Sequence, residues 1–118
     1  MPLRKATIIK QQRQDNELFL TLFVDPALTD FDGHFPDFPL LPGVTQIEWA
    51  IYYGKNLLNC PGKFAGMEVI KFQEPILPGS EVLLKLKWNE EKGKLYFTYS
   101  SEQDKQYSSG RIKLVASS

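Results

Sequence analysis

The chain has one histidine, His34, and fourteen residues later a glutamate, Glu48. A neutral imidazole accepts a proton near pH 7, and a carboxyl group kept protonated by its surroundings donates one. One base and one acid set apart by environment are the parts of a proton-shuttling elimination. His34 stands in Asp32-Gly33-His34-Phe35-Pro36, and Glu48 follows Pro42-Gly43 in a segment of helical pattern. On a helical wheel Glu48 falls within the aliphatic stripe of Val44, Ile47 and Ile51, with Leu58 farther along. A carboxylate on an apolar face is desolvated, which favours its protonated form. Glu48 is therefore expected to be buried and to serve as the acid.

Plainer readings compete with this one. A lone histidine in a loop is commonly structural or solvated. Thr45-Gln46-Ile47-Glu48 matches a capping box, in which Thr45 would start the helix and Glu48 would only return a hydrogen bond to its backbone. Pro42-Gly43 is itself a helix-entry signal and would place Glu48 in the second turn. Spacing alone leaves capping and catalysis both open. Pro36, Pro39 and Pro42 also fit a polyproline ligand, but Phe and Leu interleave them where such ligands carry charge.

The elements that must position these residues follow from periodicity. Lys5–Gln12 and Glu17–Val24 read as two strands about the turn Gln14-Asp15-Asn16, the second alternating Leu18, Leu20, Leu22 and Val24. Thr29–Gly43 is rich in proline and phenylalanine, which excludes a helix or central strand there and predicts a packed irregular segment. A helix is predicted from Gly43 to about Asn59, ended by Asn59-Cys60-Pro61-Gly62. Four strands follow: Gly66–Pro75, one on Val82, Leu84, Leu86 and Trp88, one on Leu95, Phe97 and Tyr99, and one on Ile112, Leu114 and Ala116. Lys85 and Lys87, with Leu83, line the outward side of a strand; they form a solvated face or a landing for an acidic carrier protein. The sum is an α+β fold of about six antiparallel strands wrapped around one long helix, in one domain spanning 1–118.

At 118 residues the chain matches one ordinary domain. Fourteen basic residues balance fourteen acidic ones, which argues against nucleic acid or an anionic membrane as main partner. The single Cys60 cannot form an internal disulfide, and Met1–Arg13 offers only Ile8-Ile9 where a leader needs a longer apolar stretch. The expected compartment is the cytoplasm.

Taken together, Gly33-His34-Phe35-Pro36-Asp37-Phe38-Pro39-Leu40-Leu41-Pro42-Gly43-Val44 through Glu48 resembles the active-site segment of the 3-hydroxyacyl-[acyl-carrier-protein] dehydratases, which have the hot-dog fold. Phe72-Gln73-Glu74-Pro75-Ile76-Leu77-Pro78-Gly79 is similar to a second motif of that family. The resemblance implies that His34 removes the C2 proton of a 3-hydroxyacyl thioester and that Glu48 protonates the departing hydroxyl. It implies that Gly43 offers its backbone N–H to the thioester carbonyl and that the carbonyl of Leu40 orients the histidine. It further implies a homodimer, or a dimer-based oligomer, whose sites each draw His34 and Glu48 from different subunits. An acyl carrier protein would deliver the substrate, and neither cofactor nor metal is called for. Where most of the family follows the acid with Ala-x-x-Gln, this chain has Trp49-Ala50-Ile51-Tyr52. Tyr52 thus replaces a polar amide one turn beyond Glu48 and is expected to reshape the pocket. The Gln46-Ile47-Glu48-Trp49 stretch looks closer to the aryl-polyene branch. A hot-dog acyl thioesterase and a non-catalytic acyl-binding module are the alternatives; His34 within its motif favours the lyase.

Overall fold

A computed structural model describes residues 5–26 and 40–115. His34, expected above to be the base, and most of the proline-rich segment around it lie outside the described residues. Two strands, β1 (Thr7–Gln14) and β2 (Glu17–Phe23), precede the helix α1 (Gly43–Leu57). Four more follow: β3 (Lys63–Phe72), β4 (Glu81–Asn89), β5 (Lys94–Ser100) and β6 (Gln106–Val115). All pairings are antiparallel, and the order across the sheet is β1-β2-β4-β5-β6-β3. The expected α+β architecture, six strands around one helix, is the one observed.

The alternation of the central strands builds the core. Directly opposed residues share a face of an antiparallel sheet. The register pairs Leu18 with Leu86 and Leu20 with Leu84, and on the far side of β4 pairs Leu84 with Tyr99 and Leu86 with Phe97. These side chains are all buried on the concave face, where α1 lies across β4 and β5. Gly54 allows that close approach. A Cβ there would stand 2.6 Å from Leu95 Cδ2, so the usual penalty of a mid-helix glycine is accepted in exchange for contact. The helix stops at Leu58, where Asn59 turns left-handed (φ 60°) and the amides of Leu58 and Cys60 both reach the carbonyl of Gly54 (3.2 and 3.0 Å). Among the described residues no helix is long and apolar enough to cross a membrane.

β3 differs from the other strands. It is an edge strand with register breaks between Phe64 and Gly66 and between Glu68 and Lys71, and Val69 within the second break has φ 49°. Phe64, Met67 and Phe72 pair with Leu114, Ile112 and Ser108, which puts them on the concave side, yet all three are exposed. At this end of the sheet the helix start, Gly43, lies against the Phe72 ring.

Candidate active site

Helix α1 begins at Gly43, with Pro42 as its N-cap and no side-chain cap. Thr45 therefore lies inside the first turn and is buried, so the capping-box reading of Thr45 and Glu48 fails. The amides of Thr45 and Gln46 close on the Pro42 carbonyl (3.1 and 3.2 Å). Those of Gly43 and Val44 precede the first intrahelical bond, at the positive end of the helix dipole. Gly43 allows a close approach there: a Cβ would meet Phe72 Cζ at 2.6 Å, and the ring would have to shift. Leu40, Gly43, Gln46, Phe72 and Glu74 surround a pocket of about 370 Å³ at this helix end.

The helix is rotated relative to the expectation from its aliphatic stripe. Its buried side carries Thr45, Gln46, Trp49, Ala50 and Tyr53. Val44 is 64% exposed, Ile51 is half-buried, and only Ile47 and Leu58 of the predicted stripe are buried. Glu48 shares the open side and is exposed, contrary to the burial expected for it. The reason is that the core side uses polar and aromatic residues whose hydrogen bonds are satisfied by the sheet. Aliphatic periodicity alone points to the other side.

Those hydrogen bonds form a buried network that sequence reasoning missed. Gln46, 3% exposed, donates from Nε2 to the Leu41 carbonyl (3.2 Å), and its Oε1 accepts from the Ser108 hydroxyl on β6 (2.6 Å). Tyr99 on β5 donates its hydroxyl to the Gln46 backbone carbonyl (2.7 Å). Burial raises the Tyr99 phenol well above its ordinary range, so it remains a donor. Leu41 in turn donates its N–H to the Ile76 carbonyl (2.8 Å). The available signal was Gln46, a polar residue one turn before Trp49 and Ala50; the sequence around Ser108 carries no such mark.

Glu48 and Tyr52 line a second depression with Ile51, Lys55 and Asn56. The Tyr52 ring lies under the Lys5 ammonium (4.3 Å to the centroid) and edge-on to Tyr53 (5.3 Å between centroids). The structure thus brings Leu40 together with Gly43, and Glu48 together with Tyr52, but in two different depressions.

The arrangement has close counterparts among solved structures. One, described as the dehydratase heterocomplex ApeI:P from Xenorhabdus doucetiae, has a chain that is 42% identical, with a TM-score of 0.87 over 93% of this chain and 97% of its own. An uncharacterized protein from Erwinia carotovora subsp. atroseptica is 39% identical, with a TM-score of 0.81 over 98% of this chain and 97% of its own. The E. coli PaaI protein, 16% identical with a TM-score of 0.65, shares the fold alone. The class is the hot-dog fold. Residues 10–111 match the ApeI-like family, described as ApeI dehydratase, and the chain belongs to that family. A curated 3-hydroxyacyl-[acyl-carrier-protein] dehydratase FabZ from Syntrophobacter fumaroxidans is 35% identical over 71 residues, which is 53% of this chain and 48% of that protein. The chain spans about half the length of the curated relatives it matches.

Proposed function

We propose that this protein dehydrates a 3-hydroxyacyl thioester on an acyl carrier protein to the trans-2-enoyl thioester, in fatty-acid or aryl-polyene-type biosynthesis. Residues 1–118 act as one domain. His34 takes the C2 proton, and the electrons of that C–H bond form the C2–C3 double bond. The C3–O bond breaks as Glu48 protonates the leaving hydroxyl, which departs as water. Proton exchange then resets the imidazolium and the carboxylate. The Gly43 N–H at the helix end stabilises negative charge on the thioester oxygen, the Leu40 carbonyl orients His34, and Tyr52 shapes the acyl pocket.

The observation that carries this reading is the placement of Glu48 in a dehydratase-family chain: a carboxylate on an exposed helix side beside Val44 and Ile51. A general acid needs a dry surrounding, and here a second subunit would provide it. The exposed concave residues of β3, among them Phe72 at 54%, supply the apolar surface for that contact. A shared site also accounts for Glu48 and Gly43 lining separate depressions in one chain. Such an enzyme would act in the cytoplasm, where the buried Cys60 thiol stays reduced.

The test is incubation with 3-hydroxyacyl carrier-protein thioesters of several chain lengths, followed by intact-mass measurement. Loss of one water from the acyl chain, with the thioester intact, is the expected result. Free acid and unloaded carrier would identify a thioesterase instead, and an unchanged substrate across the series would leave only acyl binding.

A further inference from the structure

We propose that Gln46 and Ser108 are positioning residues for this site, fixing the Leu40–Gly43 backbone rather than merely filling the core. The proposal rests on the functional reading above, in which the Leu40 carbonyl and the Gly43 N–H face the histidine and the thioester.

A buried primary amide is a poor choice for stability alone. Its hydrogen bonds only offset the loss of water, and a hydrophobic residue of similar shape would do as well. What the amide adds is direction. The Leu41 carbonyl can only accept, so Nε2 of Gln46 must face it, and the Ser108 hydroxyl must then donate to Oε1. Ser108 is fully buried on β6, so the amide plane is set by the sheet. The Tyr99 hydroxyl holds the backbone carbonyl of the same glutamine from β5.

The segment that receives this direction is also held by the buried Leu41 side chain, by the Leu41 N–H on Ile76 and by the Pro42 carbonyl, which accepts from Thr45 and Gln46. Those bonds leave the Leu41 carbonyl, next to a proline that has no N–H, to Gln46. The Leu41 carbonyl is thus the point at which the Gln46–Ser108 pair links the Leu41–Pro42 backbone to β6. Leu40 and Gly43 flank that link, so a rotation of the Leu41 carbonyl moves both site groups together. Gln46 also lines the pocket they form.

The experiment compares Ser108→Ala, Gln46→Met and the double variant in the full chain, measuring melting temperature, kcat and KM. Each single change strands a buried polar partner, so both stability and kcat should fall. The double variant removes both members of the Gln46–Ser108 pair and leaves only the Leu41 carbonyl without its partner, so its melting temperature should return part of the way from that of Gln46→Met toward wild type. Its kcat should nonetheless stay about tenfold or more below wild type with KM little changed, as expected for displaced reacting groups. If kcat recovers along with the melting temperature, the pair is only structural and the proposal is overturned. Should the double variant not fold, Ser108→Ala decides alone, and a kcat equal to wild type overturns the role of Ser108. Amide hydrogen exchange gives a readout independent of turnover. Exchange at the Leu41 amide, which is bonded to the Ile76 carbonyl, should quicken in Gln46→Met more than at the far end of α1, and an equal change at both places overturns the anchoring. A wild-type protein that turns over no substrate would sink the functional reading while leaving this exchange test intact.

Discussion

The two sides of α1 are built from opposite materials for opposite uses. The side facing the sheet carries Thr45, Gln46, Trp49 and Tyr53, large or polar groups that are all buried, with Gln46 bonded to Ser108 on β6 and Tyr53 to the Ala6 carbonyl. The open side carries Val44, Glu48, Ile51 and Tyr52, where aliphatic groups surround one carboxylate. In a lone chain this second side pays hydration for no visible gain. The contrast teaches that the sheet side fixes the position of the helix, while the open side is the one that the proposed second subunit would finish. If that is right, substitutions on the two sides should fail in different ways.

The largest expected effects set the sides directly against each other. Glu48→Gln, and His34→Ala as its functional partner, should lower turnover by about 10²-fold or more with little change in melting temperature. Trp49→Ala empties a buried site and should destabilise the fold by about 3–5 kcal/mol. Thermal melting alongside turnover measures both. A Glu48→Gln protein that unfolds early while turning over normally would reverse the assignment of the two sides.

A smaller effect tests whether the open side meets a second subunit. Mixing inactive His34→Ala with inactive Glu48→Gln under conditions of subunit exchange should restore roughly a quarter of wild-type activity, given independent sites. Half of the dimers are then mixed, and each mixed dimer has one complete site of two. If exchange is demonstrated by mass and no activity returns, both residues act within one chain.

What could be read beforehand follows the same division. The alternations in β2, β4 and β5 identified Leu18, Leu20, Leu22, Val82, Leu84, Leu86, Leu95, Phe97 and Tyr99, and all are buried. They were legible because a strand buried on one face repeats every two residues. The orientation of α1 was not legible, because Gln46 is satisfied by Ser108 and Tyr99, which lie 62 and 53 residues away. No local pattern records such partners. β6 begins at Gln106, well before the expected Ile112, because Ser108, Ser109 and Gly110 look like a loop until the register supplies neighbours. β3 begins at Lys63 rather than Gly66, its alternation being broken by bulges at an edge. For the site, His34 and Glu48 stood out by chemistry and spacing. Glu48 was misplaced into the core because it falls in the aliphatic stripe of Val44, Ile47 and Ile51, whereas the buried side of α1 carries Thr45, Gln46, Trp49 and Tyr53.

The smallest expected effect concerns the sheet side, through its ionisable groups. Cys60 is buried at the end of α1, and desolvation pushes its thiol up from 9.0 to about 11, with the Arg13 charge opposing slightly. Tyr53, also on the sheet side, is pushed up from 10.0 to about 12, chiefly by burial and secondarily by Tyr52. In both cases the folded chain holds its proton to higher pH than the unfolded chain does. Stability should therefore be undiminished below the unfolded value and decline as pH rises through it toward the folded one. For Cys60 that window runs from 9.0 to about 11, and at pH 10 the loss should be about 1 kcal/mol. Tyr53 contributes mainly above pH 10.0, so the two separate on the pH axis. Melting curves of wild type and Cys60→Ala, taken between about pH 7 and 10, make the comparison. The wild type should lose stability above about pH 9, and the variant should stay nearly level until the two buried tyrosines, Tyr53 and Tyr99, contribute from about pH 10.0. Identical declines in both proteins would mean that the Cys60 thiol meets water in the folded state, and the sheet side would be less closed than its packing indicates.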